Sequence, residues 1–425
     1  MSRNDLDISL YLVTDRPLSR GRDIRWIVEE AVKGGCTIVQ LREKDCSTKE
    51  FVDLAIQLKQ TLKPLGIPLI INDRIDVALA SDADGVHIGQ SDMPYEIARK
   101  ILGPDKIIGL SVETLDEVTQ ANDLDVDYIG ISPIFATNTK TDTYKPFGLN
   151  GLTQAMIRSK HPAVGIGGMN HKTAADVMKH GADGIAVVSD IVSADSPKQS
   201  SQELLKIVND NKGSWSDNAW SVIQPIMEDI RNHPFVQEMT AGNLHKTRFL
   251  HYLQQDIIYI ANYGKEMFQL ADMLPESRLK TLFTQFAHEG IAAEETLHNQ
   301  LMQEFGSANA EPYDGTTEYM NHTKQFFEPA DLSMALAAML PSMWVYNSIG
   351  SYILSIEQGG EKNPYHEWIS YYSSPLMNEG IKNSIELINE LASKESLKRR
   401  AAMRYAFVKS AMLELKFWDQ AYKSM

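Results

Sequence analysis

The chain has 425 residues, too many for one ordinary hydrophobic core, so its length indicates two domains. Its 56 aspartates and glutamates exceed its 41 lysines and arginines, so we expect no nucleic-acid partner and no binding to anionic membranes. The two cysteines, Cys36 and Cys46, are too few for a disulfide framework. From the sequence we expect neither a signal peptide nor a membrane-spanning segment. These features together predict a cytoplasmic protein.

One plan repeats from Ser9 to Ile191: a short apolar run, a polar or glycine-containing break, then an amphipathic helical stretch such as residues 24–33 or 49–61. The cores of the runs are apolar on both faces, as buried parallel strands require. Eight such units predict an α/β TIM (β/α)8 barrel over residues 1–208, with its active site at the carboxyl ends of the strands. The eight runs are SLYLVTD, TIVQLREK, PLIINDR, GVHIGQ, IIGLSV, YIGISPIF, AVGIGGM and GIAVVSDI.

Charged residues follow several of these runs. Asp73 ends the third run and Asp92 follows the fourth, so two carboxylates should meet at one rim, where hard oxygen ligands suit Mg²⁺. Arg42 and Lys44 after the second run, and Lys140 after the sixth, supply positive charge for a diphosphate. The alternative is that such residues only pair with one another at the rim.

The last two runs end in residues suited to a second phosphate. Gly167-Gly168 and Val188-Ser189 stand where these barrels usually bind phosphate through exposed backbone amides. His87, inside an apolar run, is interpreted as a hydrogen-bonded structural histidine. The pattern therefore predicts two anion sites across one mouth.

Six motifs in this half resemble those of thiamine phosphate synthase, in order, over roughly residues 9–205. The resemblance implies that the barrel joins hydroxymethylpyrimidine diphosphate to thiazole phosphate, giving thiamin phosphate and diphosphate, with Mg²⁺ as cofactor. The motifs are YLVTD at 11–15, QLREK at 40–44, IND at 71–73, HIGQSD at 87–92, TNTK at 137–140 and GIGG at 165–168.

The resemblance also implies a role for each matched position. Asp73 and Asp92 would bind the metal, and Ser111 would contact the pyrimidine side of the reacting pair. The diphosphate and its pyrimidine would be held by Gln40, Arg42, Lys44, Asn72 and Lys140, and the thiazole phosphate by Thr137, Thr139, Gly168, Val188 and Ser189.

The pattern changes at residues 209–214, a polar and breaker-rich stretch that we interpret as a linker. Residues 215–425 lack strand-like runs and show long helical periods, which predict an all-α helix bundle. Spacing of three places Asp256 and Tyr259 on one helical face, and Glu414 stands among apolar neighbours, where burial would raise its pKa. Aromatic rings with two acids predict a pocket for a flat, basic heterocycle.

This half resembles thiaminase II of the TenA type over about residues 215–424, including HPF at 233–235 and FWDQAY at 417–422. The resemblance implies an aminopyrimidine hydrolase, also a possible thiaminase, and we expect a homo-oligomer that assembles through this half. It implies that Asp256 anchors the pyrimidine and Glu414 acts as acid and base. The tyrosines implied to line the pocket are Tyr259, Tyr319, Tyr346 and Tyr372.

Ser342 departs from the family pattern, which has a nucleophilic cysteine after Leu-Pro. A serine hydroxyl needs an adjacent base to match a thiol, so three hypotheses stay open. The domain is a slow hydrolase that uses Ser342, a hydrolase in which Glu414 or Asp256 activates water, or a non-catalytic pyrimidine-binding or assembly module. A di-iron bundle is a further alternative, because Glu295-Thr296-Leu297-His298 matches one Glu-x-x-His element, although such a site needs two.

Overall fold

The protein is described from a computed structural model, which covers residues 3–136, 145–306, 310–357 and 359–423. It divides into two compact units. The first comprises Met1–Val222 with Glu395–Ala402, and the second comprises Ile223–Lys394 with Met403–Met425. The stretch 209–214, interpreted above as a linker, therefore lies within the first unit.

The first unit contains a closed barrel of eight parallel strands, each bonded to the next in sequence and the last to the first. Register pairs such as Leu12 with Val39, and Val39 with Leu69, hold the strands parallel. Every apolar run of the sequence contributes one strand, so the predicted barrel is confirmed. The strands are β1 Leu10–Val13, β2 Ile38–Leu41, β3 Leu69–Asn72, β4 Gly85–Ile88, β5 Ile107–Val112, β6 Tyr128–Ile131, β7 Ala163–Ile166 and β8 Gly184–Val187.

Helices follow the strands, and four of those described begin at a residue whose side chain caps a free amide: Asp23, Ser47, Thr114 and Ser196. Ser47 accepts a hydrogen bond from the amide of Glu50, whose carboxylate accepts from the amide of Ser47, and this capping box starts the second helix. The predicted helical stretches 24–33 and 49–61 correspond to the first two helices. The helices of this unit are α1 Ile24–Lys33, α2 Thr48–Leu62, α3 Ile75–Ala80, α4 Tyr95–Leu102, α5 Leu115–Ala121, α6 Gly148–Arg158, α7 Ala174–Lys179, α8 Ser189–Val192, α9 Pro197–Lys212 and α10 Trp215–Val222.

The second unit is helical, as predicted. Pro341 lies inside one of its long helices, where proline lacks the amide that would continue the hydrogen-bond ladder. In the same turn, the hydroxyls of Ser410 and Tyr263 donate to the carbonyls of Ala338 and Met339. The helices are α11 Gln224–Arg231, α12 Pro234–Thr240, α13 Lys246–Met273, α14 Arg278–Phe305, α15 Asp314–Lys324, α16 Leu332–Ile356, α17 His366–Tyr372, α18 Pro375–Ser393 and α19 Leu397–Lys423, whose residues up to Ala402 belong to the first unit.

None of the helices in the described parts of the chain combines the length and the apolar composition needed to cross a membrane.

Candidate functional site

A cavity of about 650 Å³ opens at the carboxyl ends of the barrel strands. The structure brings into it every site residue that the sequence predicted for the barrel, except Thr137, Thr139 and Lys140, which lie outside the described residues. The predicted residues that line the cavity are Gln40, Arg42, Lys44, Asn72, Asp73, Asp92, Ser111, Gly168, Val188 and Ser189.

Two carboxylates face each other in this cavity. Asp73 adopts a left-handed backbone conformation with φ of 61°, unusual for a residue with a side chain. Asp92 accepts a hydrogen bond from the amide of Gly89 at 2.7 Å. Burial raises the pKa of Asp92, and the neighbouring carboxylate of Asp73 raises that pKa further. Two acids that repel each other in a partly buried position fit a divalent cation, which would remove the repulsion.

The predicted cations form ion pairs at this rim. Lys44 Nζ lies 2.7 Å from Asp73 Oδ2, and Arg42 Nη1 lies 2.8 Å from Asp15 Oδ2. The pairing considered above as an alternative is therefore present. Both cations also line the cavity, so an anionic ligand bound there would compete with the two carboxylates for them.

Gly168 forms part of the opposite wall of the cavity. Its φ is 72°, and an added Cβ would lie only 2.8 Å from the Cβ of Phe135, so a side chain fits neither the conformation nor the space. Val188 and Ser189 line the same cavity, and α8 begins at Ser189. Gly168 together with the first residue of α8 is an arrangement that suits a phosphate, because backbone amides at such positions can donate to it.

Beneath the cavity lie buried polar residues that sequence reasoning missed. The hydroxyls of Tyr11 and Tyr128 lie 2.7 Å apart, and His87 lies between Tyr128 and Ser111 at 3.1 Å and 2.8 Å. His87 is hydrogen-bonded, as predicted, but it also lines the cavity. A tyrosine in the middle of a buried strand, whose hydroxyl needs a partner, was the available signal for Tyr11 and Tyr128.

In the helical unit, Asp256 has two partners that the sequence motifs did not identify. His298 Nε2 lies 3.0 Å from Asp256 Oδ2, and both side chains are buried. Glu294, one turn before His298 on α14, accepts a hydrogen bond from the Tyr372 hydroxyl at 2.6 Å. Burial and then the charge of Asp256 raise the pKa of Glu294 to about 7. The residues predicted at this point therefore belong to a larger acid–base cluster.

Glu414 and two of the predicted tyrosines provide the clearest sign of a ligand. The rings of Tyr259 and Tyr319 lie 4.7 Å apart, and the charge of Glu414 acts on both. Tyr259 Oη, Tyr319 Oη and Glu414 Oε1 are buried and lack a well-formed hydrogen bond among the described residues, although the three side chains lie close enough to shift one another's pKa. Burial raises the pKa of Glu414 well above its usual value, as the sequence predicted. Buried polar atoms are normally well paired, so these three form a polar cluster with unused hydrogen-bonding capacity.

The remaining predicted residues lie nearby. Ser342 is buried on α16, and its hydroxyl opposes the rise in the pKa of Tyr259. The ring of Tyr346 lies 5.0 Å from that of Tyr372 and 5.7 Å from that of Trp418. Burial, then the charges of Glu414 and Asp256, raise the pKa of Tyr346. All seven residues predicted for this half thus surround one interior region.

In the folded chain, the glutamate of the Glu-x-x-His element is not the one that lies beside His298. Glu295 is exposed, and Glu294 is the glutamate that shares the buried face with His298. Asp256, Glu294 and His298 place one ligand atom each within 4.8 Å of one another. In the part of the chain that the structure describes, no second group of this kind occurs.

Comparisons with known proteins match the two halves of the chain to two different families. A family model described as thiamine monophosphate synthase matches residues 10–191, and a model of the TENA/THI-4/PQQC family matches residues 220–424. The thiamine-phosphate synthase of Chloroflexus aurantiacus is 49% identical over 204 residues, covering 48% of this chain and 94% of that protein.

Two solved structures from Pyrococcus furiosus are also similar. A thiamine phosphate pyrophosphorylase is 38% identical with a TM-score of 0.46 and covers 50% of this chain and 99% of its own. A TenA homologue is 24% identical with a TM-score of 0.45 and covers 49% of this chain and 99% of its own.

The chain therefore belongs to the thiamine-phosphate synthase family through its barrel and carries a TENA/THI-4/PQQC-family domain in its helical half.

Proposed function

We propose that the barrel joins hydroxymethylpyrimidine diphosphate to thiazole phosphate and releases thiamin phosphate and diphosphate. The observation that carries this proposal is the convergence of ten predicted residues on one cavity. Membership of the thiamine-phosphate synthase family supports it independently.

In this reaction the bond from the pyrimidine methylene carbon to the diphosphate oxygen breaks, and the electron pair leaves with the diphosphate. The thiazole nitrogen then donates its lone pair to the methylene carbon, forming the new carbon–nitrogen bond. Negative charge develops on the leaving group, so the main demand on the protein is electrostatic. Arg42 and Lys44 supply that stabilisation, while Gly168 and Ser189 position the second phosphate.

Asp73 and Asp92 are the residues that would hold Mg²⁺, because their carboxylates face each other beside the cations. When bound, the ion neutralises diphosphate charge. No side chain has to transfer a proton in this reaction. The test is formation of thiamin phosphate from both substrates, with no product when either substrate or Mg²⁺ is omitted.

We propose that the helical half hydrolyses an aminomethylpyrimidine to hydroxymethylpyrimidine and ammonia. The buried polar cluster of Tyr259, Tyr319 and Glu414 carries this proposal. Two aromatic rings beside one carboxyl group suit a ligand that is an aromatic ring with polar substituents. Asp256, held by His298, would accept hydrogen bonds from the amino-substituted edge of that ring.

Glu414 is the proposed acid and base. Because burial raises its pKa, its carboxyl group holds its proton to higher pH than an ordinary glutamate and can give that proton to the departing amine. The resulting carboxylate then accepts a proton from water, whose oxygen forms the new bond to the methylene carbon. This route requires no nucleophile from Ser342, and the buried histidine His298 is engaged by Asp256.

A non-catalytic pyrimidine-binding module is the second candidate, favoured by Ser342 where the family has cysteine. Incubation of the full chain with aminomethylpyrimidine separates the two. Steady ammonia release supports hydrolysis. If binding occurs without ammonia release, for the wild type and for Ser342→Cys alike, the binding module is the correct account.

The two proposed activities are not consecutive. Hydroxymethylpyrimidine needs two phosphorylations before the barrel can use it, and the sequence has no Walker-type glycine-rich loop with a lysine. A separate kinase must act between them. We also propose a cytoplasmic location and a homo-oligomer that assembles through the helical half.

A further inference from the structure

An unbroken chain of hydrogen bonds runs beneath the barrel cavity. Gln40 Nε2 donates to Tyr11 Oη at 2.9 Å, and the two tyrosine hydroxyls lie 2.7 Å apart. His87 Nδ1 lies 3.1 Å from the hydroxyl of Tyr128, and His87 Nε2 lies 2.8 Å from Ser111 Oγ. The first and last members, Gln40 and Ser111, both line the cavity. The chain therefore connects two points of the ligand surface through the barrel interior.

The direction of this chain follows from its first donor. An amide nitrogen can only donate, so the Tyr11 oxygen accepts from Gln40 and its own hydrogen goes to Tyr128. Tyr128 then donates to Nδ1 of His87, which leaves the ring hydrogen on Nε2, directed at Ser111. The opposite direction between the tyrosines would leave the Tyr11 hydrogen buried and unpaired, which is costly.

Two features keep the chain in place. Gly109 provides the space, because a Cβ there would lie 2.1 Å from Tyr128 Cζ and 2.6 Å from His87 Nδ1. Burial raises the pKa of both tyrosine hydroxyls, so each keeps its hydrogen throughout the neutral range. Each link therefore has one donor and one acceptor.

The ends of the chain then present opposite polarity to the cavity. Ser111 Oγ accepts from His87, so the serine hydrogen is available to a ligand. Within the described residues no hydrogen bond uses Gln40 Oε1, so the amide oxygen is available as an acceptor. A donor and an acceptor on one floor complement a ligand edge with the reverse pattern.

We infer that Tyr11, Tyr128 and His87 are positioning residues that fix this polarity and thereby select a 4-aminopyrimidine over a 4-oxopyrimidine. An aminopyrimidine presents a ring-nitrogen acceptor beside an amino donor, whereas the lactam of the oxo compound presents an acceptor beside an N–H donor. The inference rests on the proposed synthase function and specifies its substrate selectivity. The three residues act through Gln40 and Ser111.

The test compares kcat/KM for the 4-amino and 4-oxo forms of hydroxymethylpyrimidine diphosphate in the full chain. Tyr11→Phe removes the link that transmits the direction from Gln40, without changing side-chain shape. The preference for the amino form is expected to fall by about tenfold or more, because the direction of the remaining hydrogen bonds can then reverse. The KM for thiazole phosphate should not change. Tyr95→Phe, on α4 and outside the chain, is the matched control and should keep the wild-type preference.

An unchanged preference in a folded Tyr11→Phe protein would overturn the inference. Tyr128→Phe breaks the same chain one link further on and replaces the first variant if that one does not fold. Binding of the uncharged 4-amino and 4-oxo hydroxymethylpyrimidines, measured by calorimetry, gives the preference without turnover. Absence of product in the wild type would reject the proposed function, while loss of the binding preference in Tyr11→Phe would still support the inference.

Discussion

Asp256 lies on α13 and His298 on α14, and His298 Nε2 is 3.0 Å from Asp256 Oδ2 in the interior of the helical unit. Burial alone would lower the pKa of His298, but the hydrogen bond and charge of Asp256, together with the charge of Glu294, outweigh it and raise that pKa. The hydrogen bond from His298 therefore fixes the orientation of the Asp256 carboxyl group, which is the group proposed to hold the basic heterocycle.

Glu294 next to this pair should make the stability of the helical unit depend on pH. Its pKa is raised from 4.5 to about 7, so its contribution is complete below about pH 4.5 and is lost as the pH rises through about 7. Relative to Glu294→Gln, the wild type should lose on the order of 3 kcal/mol of unfolding free energy between pH 4.5 and 8. Denaturant titrations of the full chain at several pH values measure this difference.

Glu295→Gln is the matched control, since the neighbouring glutamate is exposed. Its pH profile should follow that of the wild type. Parallel profiles for Glu294→Gln and the wild type would contradict the ionisation assigned to the cluster.

Replacing Glu414 should stop hydrolysis without preventing binding. Glu414→Gln keeps the shape of the side chain but cannot donate and then accept the proton, so ammonia release should fall by about 10²- to 10⁴-fold. Pyrimidine affinity, measured by calorimetry, should stay within about threefold. Glu328→Gln, at an exposed position, should behave as the wild type. Full ammonia release from Glu414→Gln would mean that another group is the acid.

Substitutions at Ser342 separate the water route from a serine nucleophile. Ser342→Ala should retain ammonia release within about threefold if Glu414 activates water, whereas loss of a nucleophile costs orders of magnitude. Ser342→Cys should increase release, because a thiol is more readily ionised and more nucleophilic than a serine hydroxyl. Abolished activity in Ser342→Ala would show that the serine itself attacks.

The barrel was predictable because its signals are local. Several apolar runs end in polar residues that line the cavity, so the sequence alone places Asp73 and Arg42 at the rim. Tyr11, Tyr128 and His87 could not be joined in this way, since β1, β4 and β6 meet only when the barrel closes. Hydrogen bonds inside a closed barrel depend on register, which a single strand does not specify.

The helical half shows the same distinction. Asp256, Tyr259 and Glu414 were predicted from motifs, but the partner of Asp256 lies on another helix. Glu295 fits the Glu-x-x-His spacing in sequence, whereas the rotation of α14 turns Glu294 inward instead. One residue along a helix changes direction by about 100°, so spacing alone did not decide which glutamate is buried.

Removal of one of the two cavity carboxylates should change the dependence of the synthase on Mg²⁺. Asp92→Asn keeps the side chain's size but lowers the charge available to the cation, so kcat/KM should fall by about a hundredfold and more Mg²⁺ should be needed for half-maximal rate. Asp82→Asn is the control, because Asp82 is exposed and pairs with Lys106. An unchanged rate and an unchanged Mg²⁺ requirement in Asp92→Asn would refute the metal assignment.

Product formation by the purified full chain tests the central claim most directly. With Mg²⁺, hydroxymethylpyrimidine diphosphate and thiazole phosphate, we predict thiamin phosphate and diphosphate in equal amounts, at a rate that depends on both substrates. Absence of thiamin phosphate above the background of an enzyme-free mixture, from protein shown to be folded, would contradict the assignment of the barrel.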